Sequence, residues 1–285
     1  MLVELAVGDA YGAGFEYADP DFVASNNTLN RYVQHPKHSG IRPGQYTDDT
    51  QMTLAVAELL VSNEPWTEGS VADKFVEVFR RDPREGYAGG FYNVLSHVRS
   101  GSELQDRITP HSDKSGAAMR AGAIGLCSDV DQVIRYADIQ ARVTHATPLG
   151  IESAQAAALA VHYCRYNIGP VSNIGAWIDA EIQEYGGLGG WARVWNGPVG
   201  SRGWMSVLAA LTALSAASSL SDLLTRCVNY TGDVDTVATI ALAAASCTTE
   251  LVADLPHALL RDLENGPYGH DYLTELDKVL FRVIQ

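Results

Sequence analysis

The chain has 285 residues, 46% of them hydrophobic, and a net charge of −14 with a pI near 4.9. That is enough apolar material for a sizeable core, while the acidic surface repels nucleic acid and anionic membrane and excludes both as general partners. Cys127, Cys164, Cys227 and Cys247 are scattered, with no CxxC pair and no histidine at zinc spacing, which excludes a disulfide framework and a zinc site and makes a reducing cytoplasm the expected setting.

Near Met1 there is no basic stretch followed by an apolar core and a cleavage site, so no signal peptide is expected. A Gly-rich opening, Gly8 to Glu16, comes first. Tyr17 to Tyr46, rich in Asn, Pro, His and Gly, predicts a long loop. Met52, Ala55, Val56, Leu59 and Leu60 then recur at i, i+3, i+4, i+7, i+8, the stripe of an amphipathic helix. Val71, Phe75, Val78 and Phe79 repeat the pattern. Helices are predicted over 90–100, 116–126, 130–141, 151–165 and 172–184, with Ala-rich Ser153 to Ala160 favouring helix and close helix contact. Gly186 to Gly203, with paired glycines around Trp191 and Trp195, predicts a second loop. Both loops keep aromatic residues and lack lopsided charge, so they are expected to be ordered and close to a site.

The uncharged stretch Gly203 to Ser221 is long enough to test as a membrane span. Its Ala, Ser and Thr content falls short of the ~20 predominantly apolar residues that a span needs, and it predicts a buried core helix. Helices over 205–217, 219–229, 236–247 and 271–283 complete the series. No run of period two predicts a strand, and no repeat, low-complexity tract or linker divides the chain. Residues 1–285 therefore read as one all-α domain.

Two acidic motifs each open a predicted helix: Thr47-Asp48-Asp49-Thr50 and Gly232-Asp233-Val234-Asp235-Thr236. Thr and Asp are good helix N-caps, and first-turn carboxylates suit the helix dipole. Yet one cap needs one oxygen, and each motif supplies two carboxylates beside a hydroxyl. Two unit charges ~4 Å apart repel by about 1 to 4 kcal/mol at surface-like dielectrics. A hard divalent cation removes that repulsion, and carboxylate plus hydroxyl oxygen is ligand chemistry for Mg²⁺ or Mn²⁺. Gly and small residues at Ser115-Gly116-Ala117-Ala118 suit either helix packing or phosphate approach at a helix start. A lone histidine such as His145 is as a rule a structural hydrogen-bond partner.

Five segments in order resemble the ADP-ribosylglycohydrolase family: Gly8 to Glu16, Tyr46 to Met52, Lys114 to Arg120, Thr144-His145, and Gly232 to Thr236. The resemblance implies a single-domain orthogonal helical bundle with a central two-metal site. It implies two Mg²⁺ or Mn²⁺ ions held by Thr47, Asp48, Asp49, Asp233, Asp235 and Thr236. Asp48, Asp49 and Glu16 would be catalytic, with Glu16 on a mobile flap. Glu16, Ser115, Gly116, Ala117, Met119 and His145 would contact substrate, and Gly86 to Gly90 resembles a family loop near the site. The implied partner is an ADP-ribosylated protein or ADP-ribose, and the implied reaction is release of ADP-ribose, arginine being the first acceptor expected and serine the alternative. A monomer in the cytoplasm is expected. Lys114-Ser115-Gly116 departs from the family's Gly-Asn-Gly, and Thr231-Gly232-Asp233 from its Gly-Gly-Asp. The chain begins close to the Gly8 motif, so a shortened leading helix is expected. An isoprenoid synthase would need a third carboxylate after Asp48-Asp49, where Met52 stands. A non-catalytic ADP-ribose binder would not need both ions.

Overall fold

The structure, a computed structural model, describes residues 1–62 and 64–284. In chain order its helices are α1 (Leu2–Gly12), α2 (Pro20–Asn26), α3 (Asp48–Val61), α4 (Glu68–Arg81), α5 (Gly89–His97), α6 (Gly101–Arg107), α7 (Gly116–Met119) and α8 (Val130–Arg142). Then follow α9 (Pro148–Arg165), α10 (Ile174–Glu184), α11 (Gly203–Ala216), α12 (Leu220–Asn229), α13 (Val234–Ala245), α14 (His257–Asp262) and α15 (His270–Val283). Short 3₁₀ turns occupy Gly122–Leu126 and Val171–Asn173, and no sheet forms among the described residues. The protein is all-α, as the periodicity predicts.

Three nearly all-buried helices, α1, α9 and α13, form the centre. Their small residues let backbones approach. A Cβ on Gly8 would lie 2.8 Å from the Ala238 backbone, and one on Gly12 would overlap Asp235. The amphipathic helices α4, α8, α12 and α15 pack around this centre by one face each, as with Val71, Phe75 and Phe79 of α4. One contiguous hydrophobic cluster runs from Met1 to Leu280.

Two expectations change. Residues 116–126 do not form one helix: α7 ends at Met119, and the chain tightens into the 3₁₀ turn because Gly125 is pressed onto α9, where a Cβ would overlap the Ala158 carbonyl. Tyr17 to Tyr46 contains α2, started by Asp19, which caps the Asp21 N–H at 2.9 Å, and by Pro20 at the first helical position. Gly203 to Ser221 spans α11 and the start of α12, with the chain turning at residues 217–219, in line with the helices predicted over 205–217 and 219–229. No helix among the described residues is long and apolar enough to cross a membrane.

Candidate active site

The two acidic motifs, far apart in sequence, start the neighbouring helices α3 and α13. Asp9, on α1, explains how α3 starts. Its buried carboxylate accepts from the Thr47 N–H at 2.9 Å, the Thr47 hydroxyl at 2.7 Å, the Thr50 N–H at 2.9 Å and the Thr50 hydroxyl at 2.6 Å. These are the two N–H groups that a capping box would satisfy, served here from another helix. Thr47 itself, the N-cap residue, makes no side-chain cap bond. The approach to Thr47 is held by a second device: Glu264 accepts the Tyr46 N–H at 2.9 Å, and Arg84 bonds Glu264 and the Tyr46 carbonyl while lying 3.6 Å over the Tyr46 ring.

The second motif is shaped by backbone. Thr231 and Gly232 both have positive φ, and Gly232 sits so close to Val199 that a Cβ would overlap its carbonyl. The Asp233 N–H donates to the Val199 carbonyl at 3.0 Å, and the Tyr17 N–H to the Gly232 carbonyl at 2.8 Å. The second Gly-rich loop and the Glu16-Tyr17 turn thus brace the same motif. Asp233 starts α13 without a side-chain cap bond, and Ser206 reaches its carboxylate at 3.3 Å. His35 fixes the other side of Glu16. Its Nδ1 accepts the Lys37 and His38 N–H groups at 3.0 Å, so Nε2 carries the proton and donates to the Glu16 carbonyl at 2.7 Å.

These pieces converge on a cavity of about 510 Å³ lined by Glu16, Asp48, Asp49, Asp233, Asp235 and Thr236, within the range of small-molecule sites. One carboxylate oxygen each from Glu16, Asp233 and Asp235 lie within 4.8 Å of one another. Asp49 Oδ1 is buried with no hydrogen-bond partner. Such an oxygen is costly unless something positive meets it. Burial first, then the neighbouring carboxylates, push Asp48, Asp49 and Asp235 well above the usual carboxylate range. Burial, Asp233 and Asp9 raise Glu16 to about 7. The oxygen-only donor set and the orphaned Asp49 oxygen fit a hard divalent cation.

The other wall comes from Ser115, Gly116, Met119, Thr144 and His145, with Gly86, Ala88, Gly90 and Phe91 alongside and Arg107 and Lys114 adding positive charge. Of the metal, catalytic and substrate residues that the resemblance implies, Thr47 and Ala117 are the two not on the lining. Thr47 faces Asp9, and Ala117 is buried, its carbonyl bonded to Gln140 at 2.9 Å. Gly86 admits a left-handed backbone (φ +109°), and a Cβ there would overlap Asp48 Oδ1. Sequence reasoning assigns no role to Asp9, Ser201, Ser206, Tyr17, Arg107 or Arg120. A signal for Asp9 is present: it is an acid set amid Leu5, Ala6, Val7, Ala10 and Tyr11, on a helix whose other acid, Glu4, lies in the first turn.

The chain matches the family model described as ADP-ribosylglycohydrolase over residues 1–285. It is similar to ADP-ribosylhydrolase ARH3 of Mus musculus, 32% identical over 177 residues, covering 56% of this chain and 47% of that protein. The Homo sapiens ARH3 is 31% identical, with 56% and 48% covered. ADP-ribosyl-[dinitrogen reductase] glycohydrolase of Rhodospirillum rubrum is 26% identical over 164 residues, with 56% and 54% covered. The chain spans about half the length of the curated relatives it matches. A solved ADP-ribosylglycohydrolase-related protein complex superposes with a TM-score of 0.71 at 21% identity, covering 100% of this chain and 96% of that one, which shows a shared fold.

Proposed function

The chain belongs to the ADP-ribosylglycohydrolase family, and from that premise we propose that it hydrolyses the bond joining ADP-ribose to a modified protein side chain. The observation that carries the reading is the convergence of Glu16, Asp48, Asp49, Asp233, Asp235 and Thr236 on one wall of a 510 Å³ cavity. Thr47, Asp48, Asp49, Asp233, Asp235 and Thr236 would hold two Mg²⁺ or Mn²⁺ ions, with Glu16 beside them. The Thr47 hydroxyl donates its hydrogen bond to Asp9, which leaves its oxygen lone pairs for a cation. Bound divalent ions supply charge compensation and lower the pKa of water at the site.

The remaining work belongs to the protein. Ser115, Gly116, Met119 and His145 bind the ADP-ribosyl group opposite the carboxylates. As first-turn residues of α7, Gly116 and Ala117 have N–H groups that the helix itself cannot satisfy. Asp48 or Asp49 orients the attacking water and accepts its proton as oxygen bonds to C1 of the distal ribose. The bond from C1 to the side-chain nitrogen or oxygen breaks, its electron pair goes to the leaving atom, and a proton follows. Glu16, anchored through its carbonyl by His35, closes and dries the site.

Arginine is the acceptor proposed first and serine the alternative. Peptides ADP-ribosylated on arginine and on serine, incubated side by side with Mg²⁺, Mn²⁺ or EDTA, test this. Release of ADP-ribose from at least one peptide, abolished by EDTA and restored by metal, is expected. No release from either with both metals saturating would end the hydrolase reading, and ADP-ribose binding without turnover would replace it with a binding role.

A further inference from the structure

Opposite the acidic wall, the cavity is held in shape by a guanidinium that pairs with no carboxylate among the described residues. Arg120 is 1% exposed. Its donors go to Gln140 Oε1 at 2.6 Å, the Gln140 carbonyl at 3.2 Å and the Thr144 hydroxyl at 2.7 Å, and its Cζ lies 4.3 Å from the centre of the Phe75 ring. Burial lowers its pKa to about 9, which still leaves it charged at neutral pH. Two chains of contact leave it. Gln140 donates to the Ala117 carbonyl at 2.9 Å, pinning the loop of α7. The Thr144 hydroxyl lies 2.6 Å from Nδ1 of His145.

Proton counting gives each bond its direction. A guanidinium has no acceptor, so Thr144 Oγ1 accepts from Arg120. The single Thr144 proton then has His145 Nδ1 as its partner among the described residues. An imidazole that accepts at Nδ1 carries its proton at Nε2. Nε2 has no hydrogen-bond partner among the described residues, and it lies 3.3 Å from where a Cβ on Gly116 would sit, on the cavity lining. Burial, then the Arg120 charge, hold the His145 pKa down to about 3, so the ring stays neutral.

We infer that Arg120 and Thr144 are positioning residues that lock His145 in its neutral Nε2–H tautomer and aim that one N–H at an oxygen of the ligand. The tautomer rests on hydrogen-bond geometry; the identity of the ligand, an ADP-ribosyl group, rests on the function proposed above. A neutral donor takes a ribose or phosphate oxygen without adding charge beside a cation site. Gly116 is part of the device, since a side chain there would meet the imidazole at 3.0 to 3.3 Å.

NMR of ¹⁵N-histidine-labelled protein, with His145 assigned by its loss in His145→Gln, reads the tautomer without ligand or turnover. The expected spectrum has a protonated Nε2 and an unprotonated, hydrogen-bonded Nδ1. Thr144→Val keeps the side-chain shape and removes the hydroxyl, so it should yield a mixture of tautomers and weaken ADP-ribose binding in calorimetry by about tenfold. Thr144→Ser should restore both. A wild-type His145 protonated at Nδ1 overturns the inference, as does an unchanged tautomer in Thr144→Val; the wild-type spectrum decides even if that variant does not fold. Wild-type protein with the expected tautomer but no ADP-ribose binding would overturn the proposed function, and with it the donor's assignment to that ligand, leaving the tautomer standing.

Discussion

Asp48, Asp49, Asp233 and Asp235 all lie at helix starts, where an acidic side chain ordinarily earns its place by capping. Asp9 takes that duty for α3 from a different helix, and neither Thr47 nor Asp233 makes a side-chain cap bond to its own helix. The Asp49 carboxylate keeps a buried oxygen with no partner. Asp49→Asn and Asp235→Asn separate the two roles, because Asn caps as well as Asp yet removes a charge from a crowded cluster. Each variant should lose turnover of the ADP-ribosylated peptide by about a hundredfold or more. In EDTA each should melt at or above the wild-type temperature, as repulsion is relieved. Near-normal turnover in both would mean that these residues are structural.

Between elements, the decisive contact is that of α1 with α13, because it sets Asp9 and Asp235 on their respective helices within one site. Gly12 carries no side chain where a Cβ would overlap Asp235. Gly12→Ala should cost about 1 to 3 kcal/mol in urea denaturation by forcing the helices apart. It should also lower turnover by displacing Asp235. Gly89→Ala is the control: nothing stands within 4 Å of its Cβ position, and alanine favours helix there, so stability and turnover should hold. Equal behaviour of the two variants would show that the helix contact is not tight.

For the molecule as a whole, burying several carboxylates together couples stability to pH. Glu16 titrates near 7 in the folded protein against 4.5 for an unperturbed glutamate. The native state therefore binds this proton more tightly than the unfolded chain does. The resulting stability is present at low pH and is lost as pH rises from about 4.5 through 7. Buried His35, His145 and His162, whose pKa values are lowered, act in the opposite sense, so a single melting profile mixes the two. Subtracting the profile of Glu16→Gln isolates the carboxylate. In EDTA the melting temperature of the wild type should fall relative to the variant between about pH 5 and 7.5, and saturating Mg²⁺ should reduce that trend. A difference that does not vary with pH would place the Glu16 titration back in the ordinary range.

Much of this was legible in the sequence, because helical class follows from local periodicity and each acidic motif is contiguous. Met52 to Leu60 and Val71 to Phe79 announce α3 and α4, and the paired carboxylates announce a need for cations. Short helices were less legible, since α6 carries one apolar side chain, Leu104, even though Ser100 caps the Glu103 N–H at its start. The union of residues 47–50 with 233–236, the Asp9 cap, and the line from Arg120 through Thr144 to His145 were decided by tertiary structure alone. Each depends on which faces of distant helices meet, and on which of several possible donors a buried acceptor finds. The direction of a hydrogen bond depends on every partner its atoms have, and chain order does not supply that set.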